Sequence, residues 1–255
     1  MCSSDLVKRA EQLRADFVAN ASHELRTPLA ILLGFIETLT GAAADDPEAQ
    51  QRFLPIMQQQ AGRMARLVDD LLSLSRIELT EHAAPTDRVD IAEIVGPVAR
   101  ALTLRAAERG MRIELEVADA LPPVLGEADE LAQVFQNLID NAIKYARPDT
   151  AITVALGPSA KLAGGVAVRV RDRGNGIAKH HLSRLTERFY RVDRDRSREV
   201  SGTGLGLAIV KHIVNRHNGI LNIESKIGKG SVFSVHLAAA PAGQSHLTEG
   251  LRNVA

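Results

Sequence analysis

Two heptad-spaced stretches near the N-terminus constrain the fold of this chain more than any other feature. Mostly apolar residues alternate at spacings of four and three, first over residues 18–39 and again over 53–74. The positions are Val18, Ser22, Leu25, Leu29, Leu32, Ile36 and Leu39, then Phe53, Met57, Gln60, Met64, Leu67, Leu71 and Leu74. Such spacing forms a single seam along an α-helix, and that seam needs a partner helix to cover it.

The residues between the two stretches predict a helical hairpin. The segment from Gly41 to Pro47 (GAAADDP) breaks the pattern, with Gly41 suited to end one helix and Asp46-Pro47 to begin the next. Because one seam per helix gives a hairpin only a thin core, we expect two chains to dimerise into a four-helix bundle. The alternative is a hairpin that packs on the second domain of its own chain.

The rest of the chain predicts a mixed α/β domain. Residues 81–89 (EHAAPTDRV) contain a Pro and no periodicity, so they are interpreted as a linker between residues 1–80 and 90–238. The patterns that follow predict helices over 90–109, 127–146 and 203–218, and strands over 111–117, 151–156, 166–171, 220–224 and 231–237. This order favours an α/β sandwich with helices on one face of a mixed sheet. The Ala/Gly-rich tail, residues 239–255, is expected to be disordered.

Composition excludes several classes of protein. The 31 basic residues balance 31 acidic ones, and a net charge of zero argues against a dedicated nucleic-acid binder. The single Cys2 cannot form an internal disulfide. No stretch is long and apolar enough to span a bilayer, and the polar N-terminus does not resemble a signal peptide. We therefore expect a cytoplasmic, soluble chain without membrane contacts of its own, or the soluble part of something longer.

Four clusters carry chemistry, and the first surrounds His23 in the sequence SHELRTPL of residues 22–29. His23 lies roughly 100° around the helix from the seam and should face solvent. Pro28 lacks an N–H and clashes with the carbonyl of Glu24, so the helix is expected to bend beside His23. An exposed His on a strained helix suits a nucleophile, although a lone surface His is usually inert.

The second cluster lies on the helix predicted over residues 127–146. Asn137, Asn141, Lys144 and Tyr145 share one face, while Leu138, Ile139, Ala142 and Ile143 can supply the buried face. Amide oxygens suit Mg²⁺, an amine suits phosphate, and a phenol ring can stack. The alternative is a merely solvated polar stripe, but two Asn residues within a helix are unfavourable without a function.

Two glycine-rich loops form the remaining clusters. Asp172 to Ile177 (DRGNGI) follows a strand, where a carboxylate can accept a hydrogen bond from an amino group and the glycines allow close approach of a ligand. Gly202 to Leu207 (GTGLGL) opens a helix whose N–H groups can bind an anion. Leu207 stands where a dinucleotide-binding fingerprint would need a third Gly. Each loop taken alone could also be simple turn chemistry.

Together and in this order, the four clusters resemble the catalytic core of bacterial sensor histidine kinases over about residues 10 to 238. Residues 23–28 resemble the phospho-acceptor box of the family, 137–145 its N box, and 172–177 and 202–207 its two glycine boxes. Arg188 to Asp193 (RFYRVD) resembles the aromatic box of the ATP lid. Residues 16–20 (DFVAN) are most similar to the phosphate-responsive subgroup. The resemblance implies a dimerisation and histidine phosphotransfer hairpin followed by an ATP-binding α/β sandwich of the histidine-kinase, gyrase and chaperone type.

The resemblance also implies an activity and a set of site residues. It implies Mg²⁺-dependent transfer of phosphate from ATP to His23, then to an Asp of a response regulator, in a homodimer. Glu24 would orient the ring of His23 and take its proton, and Thr27 would assist dephosphorylation of the regulator, unless its hydroxyl merely bonds its own backbone. Asn141 would hold Mg²⁺. The implied ATP site comprises Asn137, Asn141, Lys144, Tyr145, Asp172, Gly174, Gly176, Ile177, Phe189, Arg191, Gly202, Thr203, Gly204, Leu205, Gly206 and Leu207.

Two other classes compete with this interpretation. An ATPase of the gyrase and chaperone type resembles the second domain, but has no reason to carry the His23 box on a dimerising hairpin. A binding scaffold without catalysis is disfavoured because every residue of the motifs is present. In the lid, Arg184, Arg188, Arg194, Arg196 and Arg198 alternate with acidic residues and are interpreted as a solvated surface, with Arg191 as the exception.

Overall fold

The computed structural model describes residues 3–80, 83–192 and 202–241. Its N-terminal part is a pair of antiparallel helices, α1 (Ser3–Thr40) and α2 (Pro47–Thr80). The Asp46 carboxylate caps α2 by accepting hydrogen bonds from the N–H groups of Glu48 and Ala49, each at 3.0 Å. The predicted hairpin and its break are thus confirmed. Helix α1 also continues through Pro28, which is buried.

Only part of the predicted seam of α1 is buried in the hairpin. Leu25 and Leu32 are half-buried, whereas Leu29 and Ile36 leave 45% and 44% of their surface exposed. The face of α1 that meets α2 also includes Phe35, whose ring stacks on Phe53 at 4.7 Å between centroids. Half of the seam is therefore open within one chain, as a surface that pairs with a second copy would be.

The predicted seam of α2 is partly or fully buried along its whole length. All seven predicted seam positions of α2 are at least half-buried, and Leu67 and Leu74 are almost completely buried. Leu67, Leu74 and Ile77 belong to the same apolar core as the second domain. The hairpin consequently packs on the second domain of its own chain, which is the alternative that the sequence left open.

The second domain is a sandwich of helices on one five-stranded sheet. Its elements are β1 (Arg88–Val89), α3 (Ile91–Ala101), α4 (Thr103–Ala107), β2 (Arg112–Val117), β3 (Val124–Leu125), α5 (Ala128–Tyr145), β4 (Ala151–Pro158), β5 (Val166–Arg171), α6 (Lys179–Leu182), α7 (Gly206–Arg216), β6 (Ile220–Lys226) and β7 (Gly230–Leu237). The strand order is β2-β4-β5-β7-β6, with β2 parallel to β4 and every other neighbouring pair antiparallel. Helix α5 packs between α3 and α7, and all three helices contact the sheet. The predicted fold class is confirmed.

The single helix predicted over residues 90–109 is wrong in detail, because the structure divides it into α3 and α4 at Leu102. The Thr103 hydroxyl donates to the carbonyl of Ala99 at 3.1 Å. A threonine bonded back to the preceding turn competes with the helical ladder and often bends a helix. Gly110, at a φ of +67°, then ends the segment as predicted.

Other boundaries also differ from the prediction. Arg88 and Val89, the last two residues of the expected linker, form β1 and pair with β3. Helix α7 begins at Gly206 rather than 203, because Gly204 has a φ of +75° that a helix does not accept. The expected disordered tail starts too early, since Ala240 is buried and its N–H donates to the carbonyl of Pro123 at 2.8 Å. Residues 242–255 lie outside the described part. Within residues 3–80, 83–192 and 202–241, no helix could cross a membrane.

Candidate functional site

Helix α5 presents a polar stripe beside a buried apolar face. Asn137, Asn141 and Lys144 are half-buried and Tyr145 is 53% exposed. The residues predicted to face the core are all buried, namely Leu138, Ile139, Ala142 and Ile143. The periodicity of α5 therefore places the four polar groups at the edge of the core, where each keeps access to solvent and to the adjoining loops.

Two interactions hold the end of this stripe, and local sequence reasoning missed both. The ammonium of Lys144 lies 2.6 Å from a carboxylate oxygen of Asp140. The guanidinium of Arg109 donates to the carbonyls of Ile143 and Lys144, the latter at 2.9 Å. These carbonyls are the unpaired acceptors of a helix C-terminus, so Arg109 stabilises the turn that carries Lys144 and Tyr145. Spacing alone does not reveal Arg109, because it lies far from α5 in sequence.

Asp172 lies at the end of β5 and is 5% exposed. Its carboxylate accepts hydrogen bonds from the N–H groups of Gly174 at 2.7 Å and Ser231 at 3.3 Å. Burial raises the pKa of Asp172 above its usual value, and these two N–H donors oppose that shift. A buried carboxylate held by backbone donors is a fixed acceptor for an amino group of a ligand. The sequence did not indicate Ser231 as its second partner.

The first glycine loop packs directly on the end of α5. A Cβ on Gly174 would lie 2.5 Å from the carbonyl oxygen of Tyr145, and Ala146 forms a β-bridge with Gly174. Gly176 has a φ of +71°, and a Cβ there would lie 2.1 Å from the carbonyl oxygen of Lys226. The N–H of Ile177 donates to the Ser225 hydroxyl at 2.8 Å. The absence of a side chain at Gly174 therefore allows the loop that follows Asp172 to approach the end of α5, and its absence at Gly176 allows the loop to approach the end of β6.

The second glycine loop reaches the same place from the other side. A Cβ on Gly206 would lie 3.1 Å from Oδ1 of Asn137. Leu205 is completely buried and anchors the loop, while Leu207 is half-buried. No side chain of the described residues caps the N-terminus of α7, so its first N–H groups remain suited to an anionic ligand.

The described part of the lid closes over the second loop. The N–H of Phe189 donates to the carbonyl of Gly204 at 2.9 Å, and Phe189 itself has a φ of +61°. The guanidinium of Arg191 donates to the carbonyl of Gly202 at 2.8 Å. Partial burial lowers the pKa of Arg191, although the phenol of Tyr145 opposes the shift. Residues 193–201, with Arg194, Arg196 and Arg198, lie outside the described residues.

The hairpin carries the remaining predicted site residues on α1. His23 is exposed, as predicted. One carboxylate oxygen of Glu24 pairs with Arg63 of α2 at 2.9 Å. The Thr27 hydroxyl is 3.4 Å from the carbonyl of His23, which is the backbone interaction that the sequence analysis kept as the alternative for this residue. Arg63 had no local signal, because it lies on the other helix of the hairpin.

The second glycine loop and the described part of the lid also contact the hairpin. The ring of Phe189 lies 5.8 Å from that of Phe17, about two helical turns before His23, and Arg188 pairs with Glu78. The Thr203 hydroxyl donates to the Asp70 carboxylate at 2.6 Å. The structure thus gathers the N box, both glycine boxes and the described lid at one site, and this site faces the helices that carry the phospho-acceptor box.

Comparison with known proteins agrees with this arrangement. Residues 13–80 match the His Kinase A (phospho-acceptor) domain, and residues 126–241 match the histidine kinase-, DNA gyrase B- and HSP90-like ATPases. The phosphate regulon sensor protein PhoR of Pseudomonas aeruginosa is 42% identical over 239 residues, covering 94% of this chain and 53% of PhoR. The chain therefore spans about half the length of that relative.

Solved structures lead to the same group. The histidine kinase AdeS of Acinetobacter baumannii superposes with a TM-score of 0.64 at 26% identity, over 84% of this chain and 96% of AdeS. Full-length ShkA, crystallised with AMPPNP, superposes with a TM-score of 0.62 at 27% identity, over 91% of this chain and 47% of ShkA. A phospho-acceptor hairpin followed by an ATPase-type α/β sandwich defines the core of a histidine kinase. The chain belongs to the sensor histidine kinases, and its similarity to PhoR agrees with the phosphate-responsive subgroup.

Proposed function

We propose that this core transfers the γ-phosphoryl group of ATP to His23 and then to an aspartate of a response regulator. The observation that carries the proposal is the convergence of Asp172, the polar stripe of α5 and the second glycine loop at one site that faces the hairpin. Phosphoryl transfer depends on positioning and charge neutralisation more than on covalent chemistry by the protein. A site of fixed donors and cations in a domain that contacts the hairpin carrying an exposed histidine meets that requirement.

The nucleotide would lie across the two glycine loops. Asp172 would accept a hydrogen bond from the adenine amino group, with Tyr145 beside the base. The N–H groups at the start of α7 would bind the phosphates, together with Lys144 and Arg191. This assignment requires no movement of Arg191, because its guanidinium already donates a hydrogen bond to the carbonyl of Gly202 at the start of the second loop.

Asn141 would hold Mg²⁺, and Asn137 would support the phosphate end of the site. The donor set fits this ion, because Mg²⁺ in nucleotide sites takes one or two protein oxygens and completes its shell with phosphate oxygens and water. Asn141 is half-buried. Asn137 lies one helical turn before Asn141 and packs against Gly206. When bound, the ion would neutralise charge on the phosphates.

In the phosphorylation step, a nitrogen of the neutral His23 ring bonds to the γ-phosphorus while the bond to the bridging oxygen breaks and ADP departs. The ring proton would pass to Glu24. Arg63 binds Oε2 of Glu24, so we assign Oε1 as the oxygen that accepts the proton from the imidazole. Arg63 would then position the carboxylate and leave one oxygen available as the base.

The later steps concern partners. We propose transfer to a receiver-domain aspartate, regulator phosphatase activity assisted by Thr27, and a homodimer formed through the hairpin. The similarity to PhoR, a phosphate regulon sensor protein, supports a phosphate-starvation signal. The core would act in the cytoplasm, tethered to the inner face of the plasma membrane if a sensor and a transmembrane region precede it.

Incubation with γ-labelled ATP and Mg²⁺ tests the proposal. We expect acid-labile, base-stable label on the wild-type chain and on His180→Gln, a control with an exposed histidine on α6. His23→Gln should carry no label and still bind ATP, because the nucleophile and the nucleotide site lie in different domains. Free phosphate without labelled protein would indicate an ATPase, and neither product would indicate a scaffold. Phosphohistidine on His23→Gln would contradict the assignment.

A further inference from the structure

One contact between the hairpin and the second domain lies inside the candidate nucleotide site. Asp70 of α2 is half-buried, and its Oδ2 accepts a hydrogen bond of 2.6 Å from the hydroxyl of Thr203 in the second glycine loop. The same hydroxyl accepts the N–H of Leu205 at 3.3 Å. Its only proton therefore points to the hairpin rather than into the nucleotide site.

The Asp70 carboxylate carries a charge of the same sign as the phosphate groups that the site would bind. The Lys144 ammonium attracts the Asp70 carboxylate, and both Lys144 and Thr203 belong to the candidate ATP site. A nucleoside triphosphate that bound to Lys144 and Thr203 would bring several negative charges beside a half-buried carboxylate. Like charges at close range in a partly desolvated site repel strongly. Asp70 and the nucleotide phosphates consequently compete for the same donors.

Further contacts hold α2 in this position. The Ser73 hydroxyl and the Gln133 side chain of α5 are hydrogen bonded at 2.8–3.0 Å. Glu78 pairs with Arg188 of the lid. The buried Leu74 and Ile77 lie between these polar contacts along α2. One face of α2 therefore docks on the second domain as a unit, and Asp70 is its contact with the phosphate-binding end.

We propose that Asp70 is an autoinhibitory latch, a carboxylate that occupies the phosphate donors of the nucleotide site while the second domain is docked on α2. Nucleotide binding breaks the Asp70–Thr203 bond, and loss of this bond releases the domain from α2 so that it can approach His23. The latch rests on the proposed ATP site and adds its regulation. By linkage, docking weakens nucleotide binding by the same factor by which the nucleotide weakens docking.

The test compares nucleotide affinity in three full-length chains. Asp70→Ala removes the competing carboxylate, and we expect the Kd for Mg-AMPPNP to tighten by about 5-fold or more, within the usual range of coupling between sites. Asp69→Ala is the matched control, because Asp69 is exposed on the same helix and removes the same charge from another face. Its Kd should equal that of wild type. Asp70→Asn, which keeps the size and loses the charge, should also bind more tightly.

A second measurement reports release of the domain. In small-angle X-ray scattering, AMPPNP should expand the wild-type chain, and Asp70→Ala should be expanded before nucleotide is added. An unchanged or weakened Kd in both Asp70 variants, with normal labelling of His23, would overturn the latch and leave the kinase proposal intact. Absence of nucleotide binding in the wild-type chain would overturn both.

Discussion

At the scale of single residues, the site depends on groups whose neighbours decide their chemistry. Asp172 is buried among backbone donors, Asn141 is half-buried on α5, and His23 and Thr27 are exposed on α1. In the proposed function, the first two belong to a preorganised binding site, whereas the last two act on a partner molecule or domain that must approach them. Substitutions at Asn141 and Thr27 should therefore affect different steps.

Asn141→Asp should lower autophosphorylation by about 10²–10³, because removal of a preorganised electrostatic contact commonly costs that much in rate. The added negative charge faces the phosphates and misplaces Mg²⁺. Gln136→Glu makes the same amide-to-carboxylate change at an exposed position of α5 and should retain the wild-type rate. Initial rates of His23 labelling at saturating Mg²⁺ measure both. A wild-type rate for Asn141→Asp would show that this residue does not hold the ion.

Thr27→Ala should separate two activities. The hydroxyl bonds only weakly to its own helix, at 3.4 Å from the carbonyl of His23, so it can turn to hold a water in line with a docked aspartyl phosphate. We expect near-normal labelling of His23 and a phosphorylated regulator that persists longer than with the wild-type chain. Equal decay of the regulator with both proteins would remove Thr27 from the mechanism. Loss of labelling would instead assign the residue to the structure of α1.

At the scale of elements, α5 is held at both ends by residues from elsewhere in the chain. Arg109 binds its C-terminal carbonyls. At its N-terminus, Nε2 of the buried His217 accepts the N–H of Glu127 at 3.1 Å, while its Nδ1–H donates to the carbonyl of Ile213 at 2.8 Å. These two bonds require the neutral ring. The helix that carries the N box is thereby fixed to α7, which carries the second glycine loop.

This arrangement predicts a specific pH dependence of stability. Burial lowers the pKa of His217 below its usual 6.5, with Arg216 acting in the same direction and Glu130 opposing it. The unfolded chain then binds the proton more readily, so the stabilisation is complete above about pH 6.5 and is lost as the pH falls through the lower native value.

His217→Gln removes this titration and keeps a polar side chain. Between pH 7 and pH 5, the free energy of unfolding of the wild-type chain should fall by on the order of 1 kcal/mol more than that of the variant. Urea unfolding at several pH values measures the difference. His180→Gln, at an exposed position, serves as the control and should follow the wild type. Parallel curves for wild type and His217→Gln would contradict the capping role.

At the scale of the whole molecule, the hairpin has one apolar surface packed on the second domain and another that is exposed. Its α2 face packs on the second domain through Leu67, Leu74 and Ile77, while α1 leaves part of its heptad seam open. The exposed apolar residues along the hairpin include Val18, Leu29, Leu33, Ile36, Leu54, Val68 and Leu72. A helical surface of this kind is typical of the interface of a four-helix bundle.

We therefore expect a dimer at micromolar concentration. The double substitution Leu29→Lys with Ile36→Lys places two charges on the open seam and should yield monomers that still bind nucleotide. Leu104→Lys is the matched control, because Leu104 is 75% exposed on α4 of the second domain. Light scattering gives the mass of each chain. A monomeric wild type, or a dimer that survives the double substitution, would contradict an interface along this seam.

Local patterns were sufficient for most of the fold and for the motifs from which the candidate site is proposed. The heptads predicted α1 and α2, the apolar period of α5 predicted which residues are buried, and the glycine loops marked the ends of β5 and the start of α7. These features depend on residues within a few turns of one another, and repeating side-chain chemistry records such neighbours directly.

Contacts between distant segments had no such record. Arg63 on Glu24, Arg109 on the end of α5, and Asp70 on Thr203 each join residues from different elements. The sequence gives no reason to distinguish Asp70 from other solvated charges on α2, because its partner depends on how the second domain docks. The sequence by itself determined most of the elements and the buried face of α5, and it supplied the residues that the structure gathers at one place. Only the tertiary structure decided which charges meet across the two domains, because those pairings arise from packing at long range and not from local spacing.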